Sequence, residues 1–192
     1  MRIYFVTMNE LKFAEAEAFV KAFAAESGAE VSVRHVRLDL PEMMTVDMEE
    51  LVRRKAVAAY RSFGLPCVVE HSGLFMKALR NLPGVLGKMI WDSVGERMSS
   101  FLLQGDERDA VARSVLGYCD GRRINIYRGE TPGHIADRPR GDYDFCWDPI
   151  FIPHGGDQTY GELGPEAKLA TSPAAQAWKL FLDDAVLGRR AP

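Results

Sequence analysis

Ile3-Tyr4-Phe5-Val6-Thr7 runs directly into Met8-Asn9-Glu10-Leu11-Lys12, and the fold class follows from that join. The first five residues form a short apolar run rich in β-formers, the pattern of a buried strand. From about Leu11 to Ser27, Ala16, Phe19, Val20, Phe23 and Ala24 recur at helical spacing and make an apolar stripe. A buried strand passing at once into an amphipathic helix opens an α/β fold. At the junction, helix N-terminal N–H groups and the positive end of the helix dipole suit an anion. Asn9 is placed to cap the helix, and Lys12, in its first turn, is placed to reach the same anion. A capped helix with a solvated lysine satisfies the same residues.

Further along, Val31 to Leu38 alternates in the manner of a strand. Asp47 and Glu50 have capping-box spacing for a helix reaching about Phe63, with Leu51, Val52, Ala56, Ala59, Tyr60 and Phe63 on its inward face. Pro66-Cys67-Val68-Val69-Glu70 predicts a third strand, ending in ionisable residues and a glycine turn at His71-Ser72-Gly73. A strand end of this kind is a common place for a site in an α/β fold. Glu96 to Gln104 predicts a helix. Val111 to Cys119 and Arg123 to Arg128 flank Asp120-Gly121, a hairpin turn signal. Gly129 to Tyr143 is turn-rich, and Ile150-Phe151-Ile152 predicts a last strand. Ser172-Pro173 is an N-cap followed by proline at the first helical position, and the closing helix carries Trp178, Phe181, Leu182 and Ala185. Helices mixed with both parallel and hairpin strands imply an α/β class with a mixed central sheet flanked by helices.

Composition bounds the function. A chain of 192 residues with no repeat and no low-complexity linker reads as a single domain over 1–192. A net charge of −3 gives no global drive toward a nucleic acid polymer or an anionic membrane, so an anionic ligand must be held by locally placed lysines. No apolar run approaches the roughly 18 residues of a membrane span, and the apolar start is too short for a signal sequence. Three cysteines (Cys67, Cys119, Cys146) without metal-ligand spacing fit a reduced, cytoplasmic protein.

Other stretches could carry chemistry. Leu40-Pro41-Glu42 is followed by a helix with Arg53, Arg54 and Lys55. Asp144-Phe145-Cys146-Trp147-Asp148-Pro149 places aromatics beside an aspartate, a combination that stacks on and hydrogen-bonds a base, or that simply forms core under a loop. Lys168 stands shortly before the Ser172 cap.

Taken in order, these blocks resemble the inosine triphosphate pyrophosphatase family over roughly residues 1 to 186. The family's Thr-Gly-Asn-x-x-Lys is matched at Thr7, Asn9 and Lys12, with Met8 in place of glycine. Its Leu-Pro-Glu is Leu40-Pro41-Glu42 and its Lys-Ala helix step is Lys55-Ala56. Leu82-Pro83-Gly84 and Lys88 match its mid-chain loop. Arg140-Gly141 and Phe145-x-Trp147-Asp148-Pro149-x-Phe151 match its base-binding loop, with Cys146 for a usual glycine. Thr159-Tyr160-x-Glu162-Leu163 and Lys168 match its last stretch.

The resemblance implies an elongated two-lobed domain with a central cleft, usually dimeric, that hydrolyses non-canonical purine nucleoside triphosphates to monophosphate and pyrophosphate with Mg²⁺, Mn²⁺ being a possible substitute. Carried over by position, Asn9, Lys12, Lys55 and Lys88 would contact the phosphates, with Thr7 and Ser72 also among the substrate-binding residues. Phe145, Trp147 and Asp148 would hold the base, with Lys168 nearby and Ser172 also among the substrate-binding residues. Glu42 and Glu70 would face the metal, and His71, Glu70 and Lys12 are the catalytic candidates.

Two elements depart from the family. Where it has aspartate before its (Ser/Thr)-Gly-Leu, this chain has His71. A neutral imidazole accepts a proton near pH 7 but is a poor ligand for Mg²⁺, which takes hard oxygens. Glu70 is adjacent, but neighbours on an extended strand point to opposite sides. Where the family reads the purine edge with Ser-His-Arg, this chain has Ser172-Pro173-Ala174, and neither new side chain can hydrogen-bond a base. Three readings follow: a pyrophosphatase with changed base preference, a nucleotide-binding protein with little hydrolysis, or a hydrolase of another phosphorylated small molecule.

Overall fold

The opening apolar run forms β1 (Arg2–Val6), with Ile3, Phe5 and Val6 buried. The computed structural model describes residues 1–95, 97–98, 107–142 and 145–189. Helix α1 (Glu10–Ser27) starts one residue earlier than its apolar stripe suggests, because Asn9 caps it by accepting the Lys12 N–H at 3.1 Å. Strand β2 (Ser32–Val36) is shorter than the alternation from Val31 to Leu38 and pairs in parallel with β1, Phe5 lying opposite His35. Helix α2 (Met48–Phe63) is capped by Asp47, whose carboxylate accepts the N–H groups of both Glu49 and Glu50.

Strand β3 (Cys67–Met76) corrects the expected glycine turn after Glu70. The extended conformation continues through Gly73 because Leu74, Phe75 and Met76 are apolar and find buried positions in the sheet. A two-residue strand β4 (Pro83–Gly84) pairs antiparallel with β3, and helix α3 (Gly87–Val94) follows. The helix expected over Glu96–Gln104 lies outside the described residues except at Arg97 and Met98, which are helical.

The hairpin is present and longer than expected: β5 (Asp109–Cys119) and β6 (Ile124–Ile135) absorb the first part of the stretch read as turn-rich. Asp120 holds the turn, its carboxylate accepting the N–H groups of Arg122 and Arg123, each at 2.7 Å. Strand β7 (Phe151–Pro153) pairs antiparallel with β6. Helix α4 (Tyr160–Lys168) opens with a complete capping box between Thr159 and Glu162 and is kinked at Gly164. Helix α5 (Pro173–Ala185) starts at the expected proline.

The strand order is β2-β1-β3-β5-β6-β7, with β4 on β3, so the sheet is mixed and helices flank it. No helix among the described residues is long and apolar enough to cross a membrane. By internal packing the chain forms two compact units. The first comprises Met1–His71, Ser114–Gly129 and Ala174–Pro192, and the second Ser72–Arg113 and Glu130–Pro173. The first unit's core gathers Phe5, Val20, Val68 and Leu116 around Trp178 and Phe181, so α5 seals the surface that β1 and α1 begin. The second unit's core gathers Leu74, Met76, Ile135, Phe151 and Tyr160 around Trp147.

Candidate active site

In the first unit the β1–α1 junction is stitched residue by residue. The Thr7 N–H donates to the Val36 carbonyl on β2 at 3.1 Å, and the Thr7 hydroxyl accepts the Asn9 N–H at 3.1 Å. The Thr7 carbonyl lies 2.9 Å from Nε2 of His35 on β2. The side chain of Lys12 leaves the first turn of α1 and donates to Glu70 Oε1 at 3.1 Å. That carboxylate, on β3, is only 3% exposed and the lysine 17%, so the pair is well shielded from water.

A second pair stands beside it. Lys55, on the inward side of α2, donates to Glu42 Oε1 at 2.6 Å. Partial burial pushes the Glu42 carboxyl up. The charge and hydrogen bond of Lys55, then the charges of His71 and Lys12, outweigh that and hold it below the usual carboxylate value. Glu42 therefore stays ionised, and its surroundings join Lys12, Lys55 and His71 in one electrostatic group. His71 is buried on β3. The strand is still extended there, so Glu70 and His71 remain on opposite sides of it.

The structure thus brings together Thr7, Asn9, Lys12, Glu42, Lys55 and Glu70, and His71 bears on this group through its charge at Glu42. It holds two carboxylates, each matched by a lysine. Among the described residues no three His, Cys, Asp or Glu side chains converge as a metal cage. Two hard carboxylates without a cage fit Mg²⁺, which is commonly held by one or two carboxylates and completed by substrate phosphates and water.

In the second unit the ion pair is tighter. Lys168, at the end of α4, donates to Asp148 Oδ2 at 2.5 Å, with the side chains 6% and 2% exposed. The ammonium lies 4.4 Å from the centre of the Phe145 ring and 5.5 Å from that of Tyr160. The loop that carries them is fixed by close glycine packing. Gly141 has φ +92°, and a Cβ there would lie 2.1 Å from the Gly161 carbonyl carbon. The Thr159 hydroxyl donates to the Arg140 carbonyl at 2.8 Å, and the Arg140 N–H donates to the Pro149 carbonyl at 2.9 Å. Cys146 adopts φ +55°, the left-handed conformation that the usual glycine would take without strain.

Of the residues expected at the base, Phe145, Asp148 and Lys168 converge. Trp147 is buried in the second core, edge-on to Phe151 at 5.8 Å between centroids. Ser172 is buried, its N–H donating to the Lys168 carbonyl at 2.8 Å. Ser72, on β3, and Lys88 belong to the second unit. Lys88 is exposed on α3 and paired with Asp92 one helical turn on. Asp144 lies outside the described residues. His35 went unnoticed in the sequence because its partner is 28 residues away.

Comparison with known proteins adds to this geometry. The profile of the Ham1 family matches residues 3–184. A dITP/XTP pyrophosphatase of Methanopyrus kandleri is 38% identical over 185 residues, 95% of this chain and 95% of that protein. Inosine triphosphate pyrophosphatase 2 of Trypanosoma cruzi is 35% identical over 179 residues, 92% of this chain and 88% of that protein. The solved Ham1 protein of Staphylococcus aureus is 21% identical with a TM-score of 0.75 over 94% of this chain and 96% of its own, a likeness of fold.

Proposed function

This chain belongs to the Ham1 family, and on that premise we propose that it is a nucleoside triphosphate pyrophosphatase with altered base selectivity. Its product pair is a nucleoside monophosphate and pyrophosphate. Water adds to phosphorus at the α–β bridge, the bridging P–O bond breaks, pyrophosphate leaves, and a proton of the water passes to a base. The observation that carries the reading is the double lysine–carboxylate arrangement of Lys12–Glu70 and Lys55–Glu42 at the family's motif positions. Such a group holds two cations ready for phosphates and two carboxylates ready for a metal.

Lys12 and Lys55 turn from carboxylate to phosphate when substrate arrives, with Asn9 and the N–H groups of the α1 terminus completing the cradle. Thr7, Ser72 and Lys88 are assigned to the phosphates with them. Mg²⁺, or Mn²⁺ in its place, held by Glu42 and Glu70, would supply positive charge against the developing negative charge of the triphosphate. His71 takes the proton of the attacking water. Phe145, Asp148 and Lys168 hold the base, with Trp147 packed on Tyr160 in the core and Ser172 anchoring Lys168. Pro173 and Ala174 offer no donor to a purine edge, so discrimination among bases is relaxed. A homodimer in the cytoplasm is the setting we propose. The absence of a disulfide among Cys67, Cys119 and Cys146, with burial pushing the Cys67 thiol up to about 12, supports a reducing compartment.

His71 also favours a second reading, a nucleotide-binding protein with little hydrolysis, since imidazole is a poor substitute for a carboxylate at Mg²⁺. Both are tested by measuring pyrophosphate release and nucleotide affinity across a panel of triphosphates with Mg²⁺ or Mn²⁺. The enzyme reading expects release from wild type and a loss of about 10²- to 10⁴-fold in His71→Asn, the usual contribution of a placed base. Binding without release in wild type, with activity gained in His71→Asp, establishes the second reading instead. Hydrolysis indifferent to both substitutions removes His71 from the chemistry.

A further inference from the structure

We propose that His35, a residue outside every motif in the chain, is a positioning residue for the phosphate-binding junction of β1 and α1; this rests on assigning that junction to the phosphates. A carbonyl oxygen only accepts, so the 2.9 Å contact with the Thr7 carbonyl requires that Nε2 of His35 carry hydrogen. The other ring nitrogen lies 3.7 Å from Glu10 Oε2, too far for a direct hydrogen bond. Nε2 is therefore the nitrogen that holds the loop.

The imidazole is itself held. It stacks on Phe13 of α1 with 4.3 Å between ring centres and 6° between planes, and its side chain is 15% exposed. Thr7 is consequently fixed through both of its polar backbone groups to β2, the N–H to the Val36 carbonyl and the carbonyl to His35. Its hydroxyl then receives the Asn9 N–H, and the Asn9 side chain receives the Lys12 N–H. A shift at His35 is passed through these three short links to the two residues, Asn9 and Lys12, assigned to the phosphates.

The ring geometry supplies a test. The side-chain nitrogen of glutamine falls where Nε2 lies, that of asparagine where Nδ1 lies, and phenylalanine keeps the stack without a donor. His35→Phe and His35→Asn should raise KM for the triphosphate about three- to tenfold, the worth of one hydrogen bond, with kcat within about twofold and His35→Gln close to wild type. Amide exchange at Asn9 and Lys12, read without nucleotide, should quicken in His35→Phe and His35→Asn but not in His35→Gln. Long-range ¹H–¹⁵N spectra of the free protein should show Nε2 protonated near neutral pH. A bare Nε2, or a His35→Gln variant no better than His35→Phe in both exchange and KM, overturns the assignment. If wild type neither binds nor cleaves any triphosphate, the functional reading falls by itself, and the spectra and exchange rates still decide what His35 does.

Discussion

Replacing Lys168 by methionine keeps the length and most of the volume of the side chain and removes only its charge. The cost follows from the surroundings. The partner carboxylate, Asp148, is 2% exposed and receives the ammonium at 2.5 Å, so its charge would be left in the interior without its cation. Breaking a buried pair from one side costs on the order of 3–5 kcal/mol, far above the value of an exposed pair. Loss of the ammonium from the faces of Phe145 and Tyr160 adds roughly 0.5–2 kcal/mol. At about 2–4 °C per kcal/mol for a chain of this size, Lys168→Met should melt at least about 6 °C below wild type. Adding Asp148→Asn removes the stranded charge, and the double variant should recover most of the loss although it has no ion pair at all. Calorimetric melts and urea titrations of wild type, both single variants and the double variant, close the cycle. A loss below about 1 kcal/mol in Lys168→Met would mean the pair behaves as a solvated one. A double variant no better than the single would mean the damage is packing and not charge.

Lys55→Met should act through Glu42 and show its effect only on one side of a pH scale. Glu42 is held below its ordinary value, so its contribution is present above the unfolded pKa of about 4.3 and is lost as pH falls through the folded value. Half the Glu42 side chain is exposed, so the stability difference from wild type should stay under about 1 kcal/mol at pH 7 and shrink as the pH falls below the unfolded value, read from melts across the acid range. Gly141→Ala should cost about 3 kcal/mol or more, since the new methyl meets the Gly161 backbone at a left-handed position; a urea midpoint equal to wild type would show that the loop has another way to pack.

The β1–α1 junction was legible because each signal there is local: an apolar run, a cap three residues before its partner, and a helical stripe. The closing helix was legible for the same reason, in Ser172-Pro173. β3 runs past the end its sequence suggests because Gly73 resembles a turn in isolation, whereas burial on both faces keeps Leu74 to Met76 extended. Helix α3 follows Pro83 and Gly84, and α4 contains Gly164 and Pro165, residues that mask a helix unless Thr159 and Glu162 are recognised as its cap. In the site, the motifs picked out Lys12, Glu42, Lys55, Asp148 and Lys168. Their pairing was not legible, because each bond spans between 13 and 58 residues of chain. Trp147 could not be assigned to ligand or core from its neighbours alone. Only the sheet beneath it makes it core.

The order in which the two units draw on the chain matters when the protein is synthesised. Its N-terminal strand and helix emerge from the ribosome first, yet their apolar faces are completed by Ala177, Trp178, Phe181 and Leu182 of α5, made more than a hundred residues later. At about 5–20 residues per second, those faces wait several seconds or longer in the nascent chain. The second unit draws on a nearly continuous stretch, Ser72 to Pro173, interrupted only by Ser114–Gly129. Its core can therefore close while the older one is still open, and the part of the chain translated first is the part most exposed to chaperones and to aggregation.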